Sequence, residues 1–142
     1  MSAVTVEQSV DGAERGTAVL AVCVSCRTPG SESDRPGETL LAELRARTSG
    51  SDPGLAIRAV QCLSVCKRPC TVSLSGPGRY TYVFGDLDPA TGADELLACA
   101  ETFRRQGHGY MLWRERPESL RRGIVARVPP AEWDRDDGSH PR

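Results

Sequence analysis

The chain has 142 residues, 39% of them hydrophobic and 26% charged, with a net charge of −1. This is the make-up of one soluble globular domain, and the near-neutral balance excludes a charge-driven partner of nucleic acid or of an anionic membrane. The longest apolar run, "AVLAVCV" from Ala18 to Val24, is too short to span a bilayer, and acidic Glu7, Asp11 and Glu14 precede it where a secretory leader carries Lys or Arg. The expected location is the cytoplasm, where thiols stay reduced, so six cysteines point to metal or redox chemistry before a disulfide frame.

Residues 1–16 show no periodicity and are expected to form a flexible arm. "TAVLAV", Thr17 to Val22, reads as a buried strand that runs into "CVSC", Cys23 to Cys26. A Pro/Gly/Ser-rich loop follows, then a helix over "ETLLAELRART", with Leu40, Leu41 and Leu44 on one face, Pro36 in its first turn and Gly50 beyond its end. "LAIRAVQCL" returns as a second strand ending at Cys62, which completes a βαβ unit with parallel strands and a right-handed crossover. "TVSLS" and "RYTYVFG" alternate around the turn "GPG" and predict an antiparallel hairpin. A second helix carries Leu96, Leu97, Ala100 and Phe103 and stops at Gly107, with Arg104 and Arg105 in its last turn. The order βαβ then ββα is that of an α/β thioredoxin-like domain with a mixed four-stranded sheet. On this reading residues 17–130 are the domain with its C-terminal extension, and 131–142 are a disordered tail.

Two parallel strands end at one edge of their sheet, so the crossover is expected to bring "CVSC" and "CLSVC" to a common rim. Cys23, Cys26, Cys62 and Cys66 then converge from two loops and can enclose a metal centre. A cysteine ligates as thiolate, and four around a two-iron core leave net negative charge, which Arg27, Lys67 and Arg68 beside the ligands offset. Cys70, at the head of a strand, reads equally as core, spare ligand or second thiol beside the ligands. Cys99, among Leu96, Leu97 and Ala100, reads as core. Three chemistries fit the four thiols. The spacing suits structural zinc and an iron–sulfur cluster alike. A thiol–disulfide oxidoreductase using Cys23 and Cys26 ranks lower, because a helix should start at such cysteines and a loop intervenes here.

The segment "CLSVCKRP", after a strand and before a hairpin, resembles the second ligand pair of thioredoxin-like [2Fe-2S] ferredoxins, whose motif is C-x-G-x-C a few residues before a Pro. From "VCVSCR" through "CLSVCKRPCTVSLSGPGRYTYVFGDLDP" to "WRERPE" and "ARVPP", the chain also resembles an uncharacterised bacterial family of predicted metal-binding proteins. That resemblance implies a link to cobalamin biosynthesis as context, and no reaction. The ferredoxin likeness implies a [2Fe-2S] cluster on Cys23, Cys26, Cys62 and Cys66. The sequence departs from that pattern in its closer first pair, in Ser64 where Gly is expected, and in Cys70 as a competing ligand.

The Arg-rich segment 113–127 reads first as a solvated, ion-paired face and second as a docking surface for an acidic redox partner. His108 and His140 are far from the cysteine loops in sequence, and Asp86 and Asp88 fit turn and cap chemistry. No catalytic residue stands out. The expected protein is a four-cysteine metal-binding domain, a [2Fe-2S] one-electron carrier or redox accessory, with zinc binding as the alternative and thiol exchange as the third reading.

Overall fold

The structure is a computed structural model that describes residues 17–48 and 54–137. Strand β1 (Ala18–Cys23) is the apolar run of the sequence, and all its residues except Val19 are buried. It lies inside the sheet, parallel to β2 (Leu55–Val60) on one side and antiparallel to β3 (Val72–Ser75) on the other. A strand flanked on both sides has little room for polar groups, which explains its unbroken apolar sequence.

The hairpin partner of β3 is β4 (Thr81–Phe84). The register aligns Leu20, Leu74 and Tyr82, and then Val22, Val72 and Phe84, so these six side chains share one face of the sheet. All are essentially inaccessible to solvent. They join one core with Leu40, Leu41 and Leu44 of α1 (Pro36–Thr48) and Leu96, Ala100 and Phe103 of α2 (Gly92–Arg105). The two helices pack on one another and both lie on β1. Arg79, after the hairpin turn, is buried and donates to the carbonyls of Phe103 and Gln106 at 2.7 Å each, satisfying the last turn of α2.

The sheet has five strands rather than the expected four, in the order β2-β1-β3-β4-β5. After a short 3-10 turn (Trp113–Glu115) and helix α3 (Glu118–Arg122), β5 (Ile124–Val128) pairs antiparallel with β4. It covers what would otherwise be a bare edge of the hairpin. Its short apolar run is interrupted by Arg127, which hides the strand from a periodicity reading. A second correction concerns the expected loose tail. Trp133 meets the rings of Tyr80 and His108 edge-on, at 5.4 and 4.9 Å, and the Tyr80 hydroxyl donates to Asp136 at 2.6 Å. One aromatic anchor and one acceptor hold this segment on the hairpin despite its polar composition. The expected arm 1–16, Gly50, residues 138–142 and His140 lie outside the described residues. Among those described, no helix is long and apolar enough to cross a membrane.

One contact ties α1 to the end of β1. A Cβ placed on Gly37 would stand 1.8 Å from the carbonyl oxygen of Cys23, so only glycine lets the first turn of α1 approach that closely. Gly37→Ala should therefore push α1 off β1 and lower stability by about 1–3 kcal/mol in chemical denaturation. An unchanged unfolding midpoint would show that this contact is not needed.

Candidate metal centre

Cys23 is the last residue of β1 and pairs with Val60, the last of β2, so both strands give out at one rim. Cys23 N donates to Thr71 O and Val24 N to Val60 O, each at 3.0 Å, which clamps the start of the first loop between its two neighbours. The Ser25 hydroxyl donates to the Gln61 carbonyl, and Cys23 Sγ lies 3.6 Å from the same oxygen. Gln61 immediately precedes Cys62. The two loops therefore meet.

Their sulfurs form two unlike pairs. Cys23 Sγ and Cys26 Sγ are 3.2 Å apart and buried. Cys62 Sγ and Cys66 Sγ are 4.0 Å apart and exposed. The Cys66 thiol is raised first by its hydrogen bond to Cys62 and further by the charge of Cys23. Burial opposes ionisation of Cys23, but hydrogen bonds from Cys26 and Ser25 outweigh it and bring that thiol down to about 7. Burial and the same bond to Cys23 push Cys26 up to about 11, against the lowering effect of Thr71. One thiol of the buried pair is thus poised to ionise while the other keeps its proton.

The second loop is held from outside. Asp86 N donates to Arg68 O at 2.9 Å, and Leu87 N to Cys70 O at 3.2 Å. The Arg68 guanidinium is turned to Asp86, Nε to Oδ2 at 2.7 Å, and so anchors this loop. Lys67 and Arg27 are exposed. Ser64 takes a positive φ of 62°, and its N–H donates to Cys62 Sγ at 3.1 Å. That left-handed conformation is the reason glycine suits this position, and it turns a backbone donor onto sulfur.

Cys70 is 1% exposed and belongs to the core. Burial, then the charges of Cys26 and Cys23, push its thiol up to about 12. Cys99 is core as expected, its Sγ donating to Met111 Sδ at 3.4 Å, with burial raising it to about 12. His108 lies at the hairpin turn, with Nδ1 3.2 Å from Gly78 O. Asp88 forms the expected turn by accepting from Ala90 N at 2.7 Å. Sequence reading missed Thr71, which is fully buried with Oγ1 3.8 Å from Cys26 Sγ. Its only signal was a polar residue next to the cysteine cluster. Gln61, Ser25 and Gly37 were missed as well.

Two sulfurs on one tetrahedral metal, at bonds of about 2.3 Å, lie roughly 3.8 Å apart. The 4.0 Å of the exposed pair lies close to that value, whereas the 3.2 Å of the buried pair falls short of it and must open by about 0.6 Å to take a metal ion. Among the described residues, no three His, Cys, Asp or Glu side chains surround a single ion position. The donor set is all sulfur, which an iron–sulfur cluster and a four-cysteine structural zinc both accept. Helix α1 begins at Pro36, well beyond Cys26, so no helix starts at these cysteines.

The family described as "protein of unknown function (DUF1636)" matches residues 20–130. No curated protein matches the chain. Among solved structures, a thioredoxin-like [2Fe-2S] ferredoxin from Aquifex aeolicus is 16% identical, with 82% of this chain and 98% of that one covered and a TM-score of 0.52. A crystal structure of the wild-type ferredoxin from the same organism gives 16% identity, 78% and 97% coverage and a TM-score of 0.46. At this identity the likeness establishes the thioredoxin-like fold.

Metal-free, reduced protein should show one thiolate appearing near pH 7 in an ultraviolet titration, lost in Cys23→Ser. Between pH 7 and 9 metal uptake should displace the Cys26 proton but not one from Cys23. Below 7 Cys23 adds a proton to that release, and the pH dependence of affinity should steepen by about tenfold per unit. Ser64→Gly relieves the left-handed strain and should raise stability by about 0.5–1 kcal/mol in thermal unfolding.

Proposed function

For this chain, which belongs to the DUF1636 family, we propose the role of a one-electron carrier or redox accessory built on four cysteines. Cys23 and Cys26 hold one iron and Cys62 and Cys66 the other. The supporting observation is the placement of the sulfurs: two pairs in the loops that follow the paired ends of β1 and β2, the exposed one at 4.0 Å close to the span of a single tetrahedral ion. When bound, a [2Fe-2S] cluster supplies a one-electron couple at the surface. The protein's own groups shape that site. The Ser64 N–H is turned onto Cys62 Sγ, and the Thr71 hydroxyl near Cys26 favours the ionised form of that thiol. The buried pair keeps water from one side, and the exposed pair leaves the other open to a partner.

The C-terminal segment offers a surface for that partner, nearest the rim at the start of β5, where Ile124 pairs Phe84. Trp113 is 64% exposed, with Leu112, Val125 and Val128 also open. Val125 packs beside Gly85, which itself lies against Arg68 of the second cysteine loop. Among the described residues only Arg122 of the arginines in 113–127 is ion-paired, to Glu118 at 3.7 Å. Arg121 lies over the Trp113 ring and donates to the Arg116 carbonyl at 2.7 Å, and the exposed Arg127 lies over Tyr80 and Tyr110. This surface suits an acidic redox protein.

Protein purified without oxygen should be brown, with charge-transfer absorption bleached by dithionite and equal iron and sulfide. Cys62→Ser and Cys66→Ser should each lose most of that iron, whereas Cys70→Ser and Cys99→Ser should keep it. Colourless protein with stoichiometric zinc would replace the electron carrier by a zinc-binding domain on the same thiols.

A further inference from the structure

The two sulfur pairs differ in a way that metal binding does not require. Cys23 Sγ and Cys26 Sγ at 3.2 Å are closer than the roughly 3.5–4.0 Å at which non-bonded heavy atoms settle. A disulfide of about 2.05 Å asks these sulfurs to close by only about 1 Å more. Cys26 is 4% exposed and Cys23 wholly buried, so a disulfide formed there would be shielded from reductants, while no outside oxidant reaches the pair directly. Access lies next door. Cys62 and Cys66 are exposed, and their loop meets the buried pair where Cys23 Sγ lies 3.6 Å from the carbonyl of Gln61, the residue before Cys62.

We infer that the metal-free protein closes a Cys23–Cys26 disulfide by exchange with a small-molecule disulfide admitted through Cys66, and that this bond locks the site against metal. In the first step the Cys66 thiolate attacks the external disulfide RSSR, forming Cys66–S–S–R and releasing RS⁻. Cys26 then attacks the Cys66 sulfur, expelling a second RS⁻ and forming a Cys26–Cys66 bond. Cys23 attacks the Cys26 sulfur and returns Cys66 as a thiolate. Two protein thiols are oxidised, RSSR is reduced to two RSH, and the protons of Cys23 and Cys26 end on the released thiols. Cys62 can intercept the intermediate at 4.0 Å, but an exposed bond there re-enters exchange, so the buried bond is the end point. A thiol reductant reverses the same path. Each sulfur can bond a metal or its neighbour and never both, so the disulfide is a lock on loading whichever metal the centre takes.

The test uses the full chain, stripped with a chelator under reductant, desalted without oxygen and mixed with oxidised glutathione. Two of the six thiols should disappear, and peptide masses should link Cys23 to Cys26. Uptake of added iron or zinc should fail until a dithiol reductant is supplied, and Cys66→Ser should slow closure by about tenfold without changing the link. Retention of all six thiols, a stable glutathione adduct or a final Cys62–Cys66 link would overturn the lock. A Cys66→Ser rate equal to that of the parent would overturn the entry route. Formation of the Cys23–Cys26 bond in a chain that takes no metal when reduced supports the disulfide chemistry and sinks the metal centre instead.

Discussion

The end of β1 is the point on which the whole site depends. Cys23 is fixed there by pairing with Val60, by its N–H on the Thr71 carbonyl, and by Gly37 pressed against its own carbonyl. These three contacts come from β2, from the residue leading into β3, and from α1. The element that crosses over to make β2 parallel therefore also presses on the residue that opens the site. Because β1 and β2 stop together, the loop after each begins at the same rim, and the Ser25–Gln61 bond stitches one to the other.

The thiols at that rim are chemically unequal, and the inequality has identifiable sources. Cys23 gains hydrogen bonds that favour its anion, Cys26 shares a proton with it, and the second pair sits in solvent. Cys70 lies in the core with its thiol held neutral by burial. A graded set of this kind gives an open face for exchange of electrons or ligands and a closed face that holds position. The same gradient separates entry from storage in the disulfide chemistry inferred above.

Much of the architecture was readable from residues 17–107, because apolar runs, a two-residue alternation and a helical leucine stripe each mark one element. The cysteine rim followed from two strand ends and the parallel rule alone. What escaped was held by tertiary contact. β5 is too short and too interrupted by Arg127 to announce itself, and Trp133 looks like a tail residue until Tyr80 is beside it. The pairing of Arg68 with Asp86, eighteen positions on, has no local signal in the sequence. Thr71 is a polar residue buried just before β3, with its hydroxyl near the sulfur of Cys26.

The most direct test is X-ray absorption at the metal edge of the full chain, compared with Cys23→Ser and Cys62→Ser. If both loops serve one centre, the parent shows all-sulfur coordination with a short metal–metal vector, and each single variant loses that vector. A vector or sulfur shell untouched by either change would mean that the two pairs never share a centre.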